Sequence, residues 1–363
     1  MKGLTSDFSL WSSTSEYCCS WVGVGCESSL PLGLNSSKRV VGLELDSRKL
    51  IGVLSESLVG LDQLRSLNIS HNSLGGALPT KLFHLRNLKV LDLSDNNLYG
   101  SLPSNIELPT IRLFDLSGNY LYGAMDTSMC NNSTIQVVNL SMNKFSGNVP
   151  AGFGNCSLLE HLFLNSNNLV GALPEDLYWL KKLRLLHLQK NGLSGPLSDR
   201  AGNLTDLVEL DISLNRFSGI LPDVFLSLRK LESFNADSNN FINHLPHSLS
   251  NSPTIMYLNL RNNSLSGPIE LNCTAMVQVS SLTLSSNQFH GPIPDSLSFC
   301  RNLRTLNLAR MPLGGQVPRS FKNLQSLSVL TLSNISLNNI SAALEVLQQC
   351  KKSHDPSSDL ELL

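Results

Sequence analysis

Leucines recur along this chain at fixed spacings, with polar residues between them. Three segments show the pattern most clearly: "LRSLNISHNSLGGALP" from Leu64, "LKVLDLSDNNLYGSLP" from Leu88 and "LEHLFLNSNNLVGALP" from Leu159. They share the form LxxLxLxxNxLxGxLP, and its asparagine recurs at 72, 96, 119, 143, 167, 191, 215, 239, 263 and 287. Every step is 24 residues except one of 23. Chance does not hold a register that long, so the sequence predicts stacked repeats in which each coil contacts its neighbours.

Each letter of the repeat has a physical role. The segment LxxLxL predicts a short strand whose leucines point into the core and whose x positions point to a concave surface. The asparagine side chain is both donor and acceptor, so stacked asparagines can satisfy buried backbone groups between coils as a ladder. The glycine permits tight backbone geometry, and the proline cannot continue a strand ladder.

The register extends beyond the ten asparagines. It continues at Met311 and Ile335 and reaches back to Arg48, which gives about thirteen repeats over residues 40–341. The outer side of the coils should be irregular, with 3-10 turns or short helices such as "EDLYWLKKL". The "GxLP" form is typical of leucine-rich repeats in plant receptors. We therefore expect an α/β solenoid, a right-handed leucine-rich-repeat superhelix with a parallel concave β-sheet.

Both ends of a solenoid need covering. Residues 1–39 predict an N-terminal cap, in which a disulfide between Cys26 and either Cys19 or Cys18 pins a short loop. The other cysteines, Cys130, Cys156, Cys273, Cys300 and Cys350, are interpreted as buried thiols in preference to disulfides. Residues 342–363 are expected to be a C-terminal tail, truncated and partly disordered.

Composition narrows the classes of function. The net charge of −1 gives no electrostatic case for binding nucleic acid or an anionic membrane, and no apolar run of eighteen or more residues predicts a transmembrane helix. The first residues do not resemble a signal peptide, which we interpret as an incomplete N-terminus. Eleven Asn-x-Ser/Thr triplets nevertheless favour a secreted glycoprotein. Glycosylation is expected at Asn35, Asn131, Asn203, Asn272 and Asn334.

We find no catalytic motif in the sequence, and we expect neither enzyme activity nor a cofactor in this chain. His161 and His187 lie on neighbouring predicted strands, but surface histidines explain them better than a metal site. The acidic strand positions Asp92, Asp115 and Asp211 are interpreted as ordinary polar strand residues on mostly non-adjacent coils.

The predicted concave surface changes character along the chain. Early coils carry acidic residues, whereas late coils carry small polar and basic ones, among them Arg261, Asn307, Thr331 and Ser333. Such a surface suits an extended peptide with acidic groups, held by hydrogen bonds and an arginine fork. The alternative is that these are simply solvated strand residues.

Three segments carry a more specific resemblance: "LNLRNNSLSGPIELNCTAM", "GNLTDLVELDISLNRFSGILPDVF" and "LSNISLNNISAAL". They resemble the extracellular domain of phytosulfokine receptors, which are plant leucine-rich-repeat receptor kinases, and the resemblance runs from "CCSWVGVGC" to Lys352. It implies binding of a sulfated peptide hormone, with Arg261 at a sulfate, Asn307 hydrogen-bonding the peptide, and Thr331 and Ser333 lining the same groove. A leucine-rich-repeat co-receptor kinase is the further partner that we expect.

The resemblance also implies a location. The full-length family lies at the extracellular face of the plasma membrane and ends in a Ser/Thr kinase domain that this chain lacks. Met311 departs from the pattern, because it replaces a ladder asparagine. Two alternatives remain: a soluble extracellular protein-binding module, such as an inhibitor or immune receptor-like protein, and a truncated product without function.

Overall fold

The computed structural model describes residues 17–28, 38–131, 134–349 and 361–362. The chain divides into two compact units, the first ending at Val170 and the second beginning at Gly171. Within each unit the chain winds in coils with three parts. A short main strand is followed by the repeat asparagine and a side strand, and an outer turn then leads back to the next main strand.

In the first unit the main strands pair in parallel, apart from an antiparallel pair at the N-terminal end. They are Val24–Ser28, Lys38–Glu44, Ser66–Asn68, Val90–Asp92, Leu113–Asp115, Val137–Asn139 and His161–Phe163. The side strands are Ile51–Val53, Ser73–Ala77, Asn97–Gly100, Tyr120–Gly123, Lys144–Asn148 and Asn168–Gly171. The 3-10 helices are Cys18–Ser20, Glu56–Gly60, Thr80–His84, Ser128–Cys130 and Phe153–Asn155.

In the second unit all main strands pair in parallel. They are Leu185–His187, Glu209–Asp211, Ser233–Asn235, Tyr257–Asn259, Ser281–Thr283, Thr305–Asn307, Val329–Thr331 and Glu361–Leu362. The side strands are Gly192–Gly195, Arg216–Ile220, Asn240–Asn243, Ser264–Gly267, Gln288–Phe289, Gly291–Pro292, Leu313–Gly315 and Ser336–Leu337. The 3-10 helices are Glu175–Trp179, Asp199–Asn203, Phe225–Ser227, Asp295–Phe299 and Arg319–Asn323, and the α-helices are α1, His247–Ser250, and α2, Ile340–Gln348.

The repeat leucines form the core of both units. In one coil of the second unit, Leu258, Leu260 and Leu265 are each at most 1% exposed. Burying a leucine side chain contributes about 1.5–3 kcal/mol, and the same positions are filled in coil after coil. The main strands alternate accordingly, with the central residue buried and its neighbours partly exposed. The pattern of leucines therefore fixes which side chains face solvent.

The asparagine ladder is present in atomic detail. The side-chain amide of Asn263 donates to the carbonyls of Ala236, Leu260 and Arg261 at 2.9, 3.2 and 3.1 Å. Its Oδ1 accepts from the backbone N–H of Phe241 at 3.0 Å. One buried side chain thus satisfies backbone groups of two successive coils, which is the role predicted from the sequence.

One coil has 23 residues instead of 24, and the missing residue falls in its outer turn. Pro103 and Ile111 are one residue closer in sequence than Pro79 and Leu88, and this outer turn contains no 3-10 helix. The flanking main strands stay in register, with Val90–Asp92 opposite Leu113–Asp115. The change in length is therefore absorbed away from the main strands.

The cysteines require a correction. Cys19 pairs with Cys26, and Cys18 is the free thiol among the described residues. The preference for buried thiols elsewhere was wrong for four positions, because Cys130 pairs with Cys156 and Cys273 with Cys300. The partners are 26 and 27 residues apart, close to one repeat, so stacking brings their Cα atoms to 4.5 and 4.7 Å. Cys350 lies outside the described residues.

The C-terminal residues are described only in part. After the last repeat comes α2, and Glu361–Leu362 pairs in parallel with Val329–Leu330. Much of the predicted tail, and of the predicted cap before residue 17, lies outside the described residues, so those boundaries stay predictions. Of the helices that the structure describes, none has the length and apolar character needed to span a membrane.

Candidate functional site

The four predicted ligand-binding residues lie together on the second unit. We define the late face as the solvent side of the main strands Tyr257–Asn259, Ser281–Thr283, Thr305–Asn307 and Val329–Thr331, with the two residues after each strand. Asn307 and Thr331 are partly exposed at the ends of adjacent strands and are paired in register. Arg261 and Ser333 are exposed and follow their strands by two residues.

Stacking sets the distances across this face. Positions 261, 285, 309 and 333 are equivalent in successive coils, and Ser285 and Ala309 between the outer two are buried. Backbone hydrogen bonds link these turns one to the next, from Asn262 to Ser285, Ser286 to Ala309 and Arg310 to Ser333. Parallel strands lie about 4.8 Å apart, so the backbones at 261 and 333 are about 14 Å apart. About four residues of extended chain, at about 3.4 Å each, span that width.

Local hydrogen bonds orient the asparagines while leaving groups for a ligand. The backbone N–H of Arg261 donates to Oδ1 of Asn259 at 3.2 Å, and that of Ala309 donates to Oδ1 of Asn307 at 3.2 Å. The guanidinium of Arg261 has no carboxylate partner within the described part of the chain. The late face therefore presents an unpaired positive charge and an amide N–H₂ group to solvent.

The electrostatics of the second unit change along its main strands. The earlier strand Glu209–Asp211 is acidic, and Glu209 lies 3.2 Å from Nε2 of His187. The four strands of the late face contain no acidic residue, and Arg310 adds a second exposed charge one coil before Ser333. An anionic ligand is thus favoured at the late coils and disfavoured at the earlier ones.

The acidic strand residues of the first unit are closer together than expected. Asp92 and Asp115 pair in register on adjacent main strands, so the interpretation of non-adjacent coils does not hold for them. Burial raises the pKa of Asp115, and the Asp92 charge adds to this, although hydrogen bonds from Ser117 and Asn139 oppose it. These hydrogen bonds join neighbouring main strands and the turn that follows, so we interpret the two aspartates as structural and not as a catalytic dyad.

Within the described residues, the histidines of the main strands and two of the three clustered cysteines have other partners. His187 is held by Glu209, and His161 contacts Phe163 with ring centroids 6.0 Å apart. Within the described residues, the one group of three metal-ligating side chains is Cys18, Cys19 and Cys26, and a disulfide uses two of them.

The predicted glycosylation positions differ in their surroundings. Asn131, Asn203, Asn272 and Asn334 are exposed, whereas Asn35 lies outside the described residues. Asn334 directly follows Ser333, so a glycan on Asn334 would stand at the edge of the late face. On the first unit, the amide of Asn139 is committed to Asp115 Oδ2 at 2.9 Å and to Ser117 Oγ at 3.1 Å.

A cavity of about 1000 Å³ lies among the outer turns of the second unit, away from the late face. Its walls include Asp223, His247 and Asn272. The backbone N–H of Ser248 donates to Asp223 at 2.6 Å and lowers the pKa of that carboxyl. The cavity does not include any of the four predicted ligand-binding residues.

Sequence comparison supports the resemblance. The family model "Leucine Rich Repeat" matches residues 63–85, 87–108, 134–156, 206–228, 278–300 and 302–324. Phytosulfokine receptor 1 from Arabidopsis thaliana is 51% identical over 154 residues, which is 42% of this chain and 15% of that receptor. The matched stretch therefore represents a small part of the length of the curated relative.

Structural comparison places the fold among receptor ectodomains. The PEPR1–AtPEP1 structure superposes with a TM-score of 0.79 at 24% identity, covering 93% of this chain and 54% of that one. The ectodomain of the Arabidopsis receptor kinase HAESA, solved with an IDA peptide hormone, gives 0.76 at 29% identity, covering 91% and 58%. A HAESA structure with IDA and the co-receptor SERK1 gives 0.54 at 28%, covering 92% and 67%. The chain is thus a leucine-rich-repeat solenoid whose fold matches plant receptor ectodomains and part of whose sequence is similar to a phytosulfokine receptor.

Proposed function

We propose that this chain is the ligand-binding part of a plant peptide-hormone receptor and that it recognises phytosulfokine, a sulfated peptide, on the late face. Arg261 pairs with a sulfate, Asn307 donates its amide to the peptide backbone, and Thr331 and Ser333 contribute hydroxyls along the same groove. In keeping with the receptors that it resembles, we assign it to the extracellular face of the plasma membrane.

One observation carries the proposal. Arg261 is exposed, lacks an acidic partner among the described residues, and lies on the late face, whose four main strands contain no carboxylate. A guanidinium binds the oxygens of a sulfate through two parallel N–H donors, a geometry that a lysine cannot reproduce. Asp237 lies at the equivalent position of the preceding coil but forms no ion pair with Arg261 in the described part of the chain, so the fork stays available to the ligand.

A binding titration tests the assignment. The sulfated pentapeptide should bind more tightly than its unsulfated form, and Arg261→Ala should weaken the sulfated peptide by about 10- to 100-fold, the value of one charge-assisted contact. The unsulfated peptide should lose little by the same substitution, since it lacks the group that Arg261 contacts.

A matched control separates the late face from general charge. Arg216→Ala removes another exposed arginine of the same unit, at the start of the side strand Arg216–Ile220, and should leave both affinities unchanged. Asn307→Ala should weaken the two peptides equally, because it contacts the backbone. Equal binding of the two peptides by the unmodified chain would exclude the sulfate role of Arg261.

A co-receptor follows from the same proposal. HAESA was solved together with both its peptide and SERK1, so a leucine-rich-repeat co-receptor kinase is the second partner that we propose. Peptide-dependent association with such an ectodomain would support it. Tight binding of a pathogen enzyme with no effect of the peptide would instead favour the alternative of a soluble inhibitor.

A further inference from the structure

Two glycosylation triplets share an unusual middle residue. They are Asn155-Cys156-Ser157 in the first unit and Asn272-Cys273-Thr274 in the second. In both, the middle cysteine is buried, at 0% and 2% exposure, and is bonded to a cysteine of an adjacent coil. Each triplet is therefore anchored by a covalent bond at its centre once the chain has folded.

The surroundings of these triplets are also fixed by hydrogen bonds. The amide of Asn272 donates to Oδ1 of Asn251 at 2.7 Å, and its own Oδ1 accepts from the backbone N–H of Thr274 at 3.2 Å. Asn155 closes the 3-10 helix Phe153–Asn155 through a backbone bond to Gly152 at 3.1 Å. An enzyme that must thread the triplet through its active site needs the chain extended and mobile, so closure of each disulfide ends the time available for modification.

The order of the cysteines along the chain differs between the two sites. Cys130 precedes Asn155, so its thiol is already available when the first triplet is made. Cys300 follows Cys273 by 27 residues, so the second triplet is made before its partner exists. At about 5–20 residues per second, that delay is about 1–5 s, and disulfides close in seconds or longer.

We propose that Asn272 is a fully used N-glycosylation site, whereas Asn155 is a contested site whose occupancy is set by closure of Cys130–Cys156 during synthesis. The inference rests on the extracellular location in the proposed function. In the modification, Asn Nδ2 forms a bond to C1 of a lipid-linked oligosaccharide, the lipid pyrophosphate leaves, and Nδ2 loses one proton. In the competing step, Cys130 and Cys156 reduce a disulfide of an oxidoreductase to a dithiol by exchange, and their own disulfide forms.

Glycopeptide mass spectrometry on the full chain, expressed behind a secretory leader, measures the occupancy of each site. We expect Asn272 to be near complete and Asn155 to be incomplete. Cys130→Ser should raise occupancy at Asn155 to about that of Asn272, because it removes the competing step, which runs on the timescale of synthesis. Cys300→Ser should leave occupancy at Asn272 unchanged, since that partner arrives after the triplet.

Two controls keep the result interpretable. All cellular protein is analysed, so a variant that folds poorly still reports an occupancy decided during synthesis. A membrane-permeant reductant should raise Asn155 occupancy in the unmodified chain but not in Cys130→Ser. Complete occupancy of Asn155 in the unmodified chain, or no change in Cys130→Ser, overturns the proposal. Occupancy at Asn203 reports entry into the secretory pathway, so the result stands or falls separately from peptide binding.

Discussion

The asparagine ladder makes a quantitative prediction for Asn263→Ala. The substitution removes one acceptor and three donor contacts from a side chain that is 9% exposed. It leaves the leucines and the strand register untouched. It therefore isolates the polar contribution of the ladder from that of the core.

The partners do not lose equally. The carbonyl of Ala236 still receives the amide of Asn239, that of Leu260 still receives Asn287, and that of Arg261 still receives the backbone N–H of Ser238. The backbone N–H of Phe241, in contrast, loses the side-chain oxygen that accepts from it. An unsatisfied buried donor costs about 1–3 kcal/mol, and three weakened carbonyl contacts add about 1 kcal/mol, so we expect a loss of about 2–4 kcal/mol.

Chemical denaturation measures the loss, and native-state hydrogen exchange locates it. The amide of Phe241 should exchange faster by about the factor that the unfolding free energy predicts, about 10-fold per 1.4 kcal/mol. Asn302→Ala is the control, because Asn302 donates to Val277 O from an exposed position and should cost under about 0.5 kcal/mol. A destabilisation no larger than that of the control, with unchanged exchange at Phe241, would refute the ladder argument.

Three further predictions test other features. Replacing Cys273 and Cys300 together by alanine should lower stability by about 3–4 kcal/mol, from the 27-residue loop, as read from a denaturation midpoint. Asp115→Asn should gain stability relative to the unmodified chain as pH rises through the folded pKa of Asp115, because the raised pKa means that ionised Asp115 opposes folding; the loss of the acceptor for Asn139 lowers the stability of the variant at every pH. The gain should shrink as pH falls through the folded pKa and vanish below the ordinary value of 3.8, and a gain independent of pH would contradict it. Met311→Asn should raise the free energy of unfolding by about 1 kcal/mol. The turn is already shaped for a ladder asparagine, because Arg310 has a left-handed φ of 55°, close to the 51° of Asn262 at the equivalent position.

The fold was predictable because the same pattern of buried leucines and ladder asparagines recurs in coil after coil. Repeat leucines such as Leu258, Leu260 and Leu265 predict the core, and the spacing of the asparagines predicts the ladder. Neither prediction depended on a single residue. The effect of replacing the ladder asparagine by Met311 could not be predicted in this way, because the replacement occurs in a single coil. The structure buries Met311 at 4% exposure and keeps Thr305–Asn307 paired on both sides.

The shared surface of the four predicted residues could be read from the sequence, but not all of their surroundings. The register alone places Arg261, Asn307, Thr331 and Ser333 on one surface, whereas their hydrogen bonds depend on side-chain conformations that the pattern does not specify. The disulfides Cys130–Cys156 and Cys273–Cys300 were missed because each cysteine was judged by its own burial. Their separations of 26 and 27 residues, close to one repeat, were the signal that pointed to pairs on stacked coils.

The 23-residue coil shows where this architecture can change. A residue lost between Pro103 and Ile111 leaves the pairing of Asp92 with Asp115 intact, whereas a residue lost inside LxxLxLxxN would displace every contact after it. Natural length differences should therefore accumulate in the outer turns, and engineered insertions should be tolerated there. Whole 24-residue blocks could be exchanged between relatives, so new specificities can arise by shuffling coils without rebuilding the scaffold.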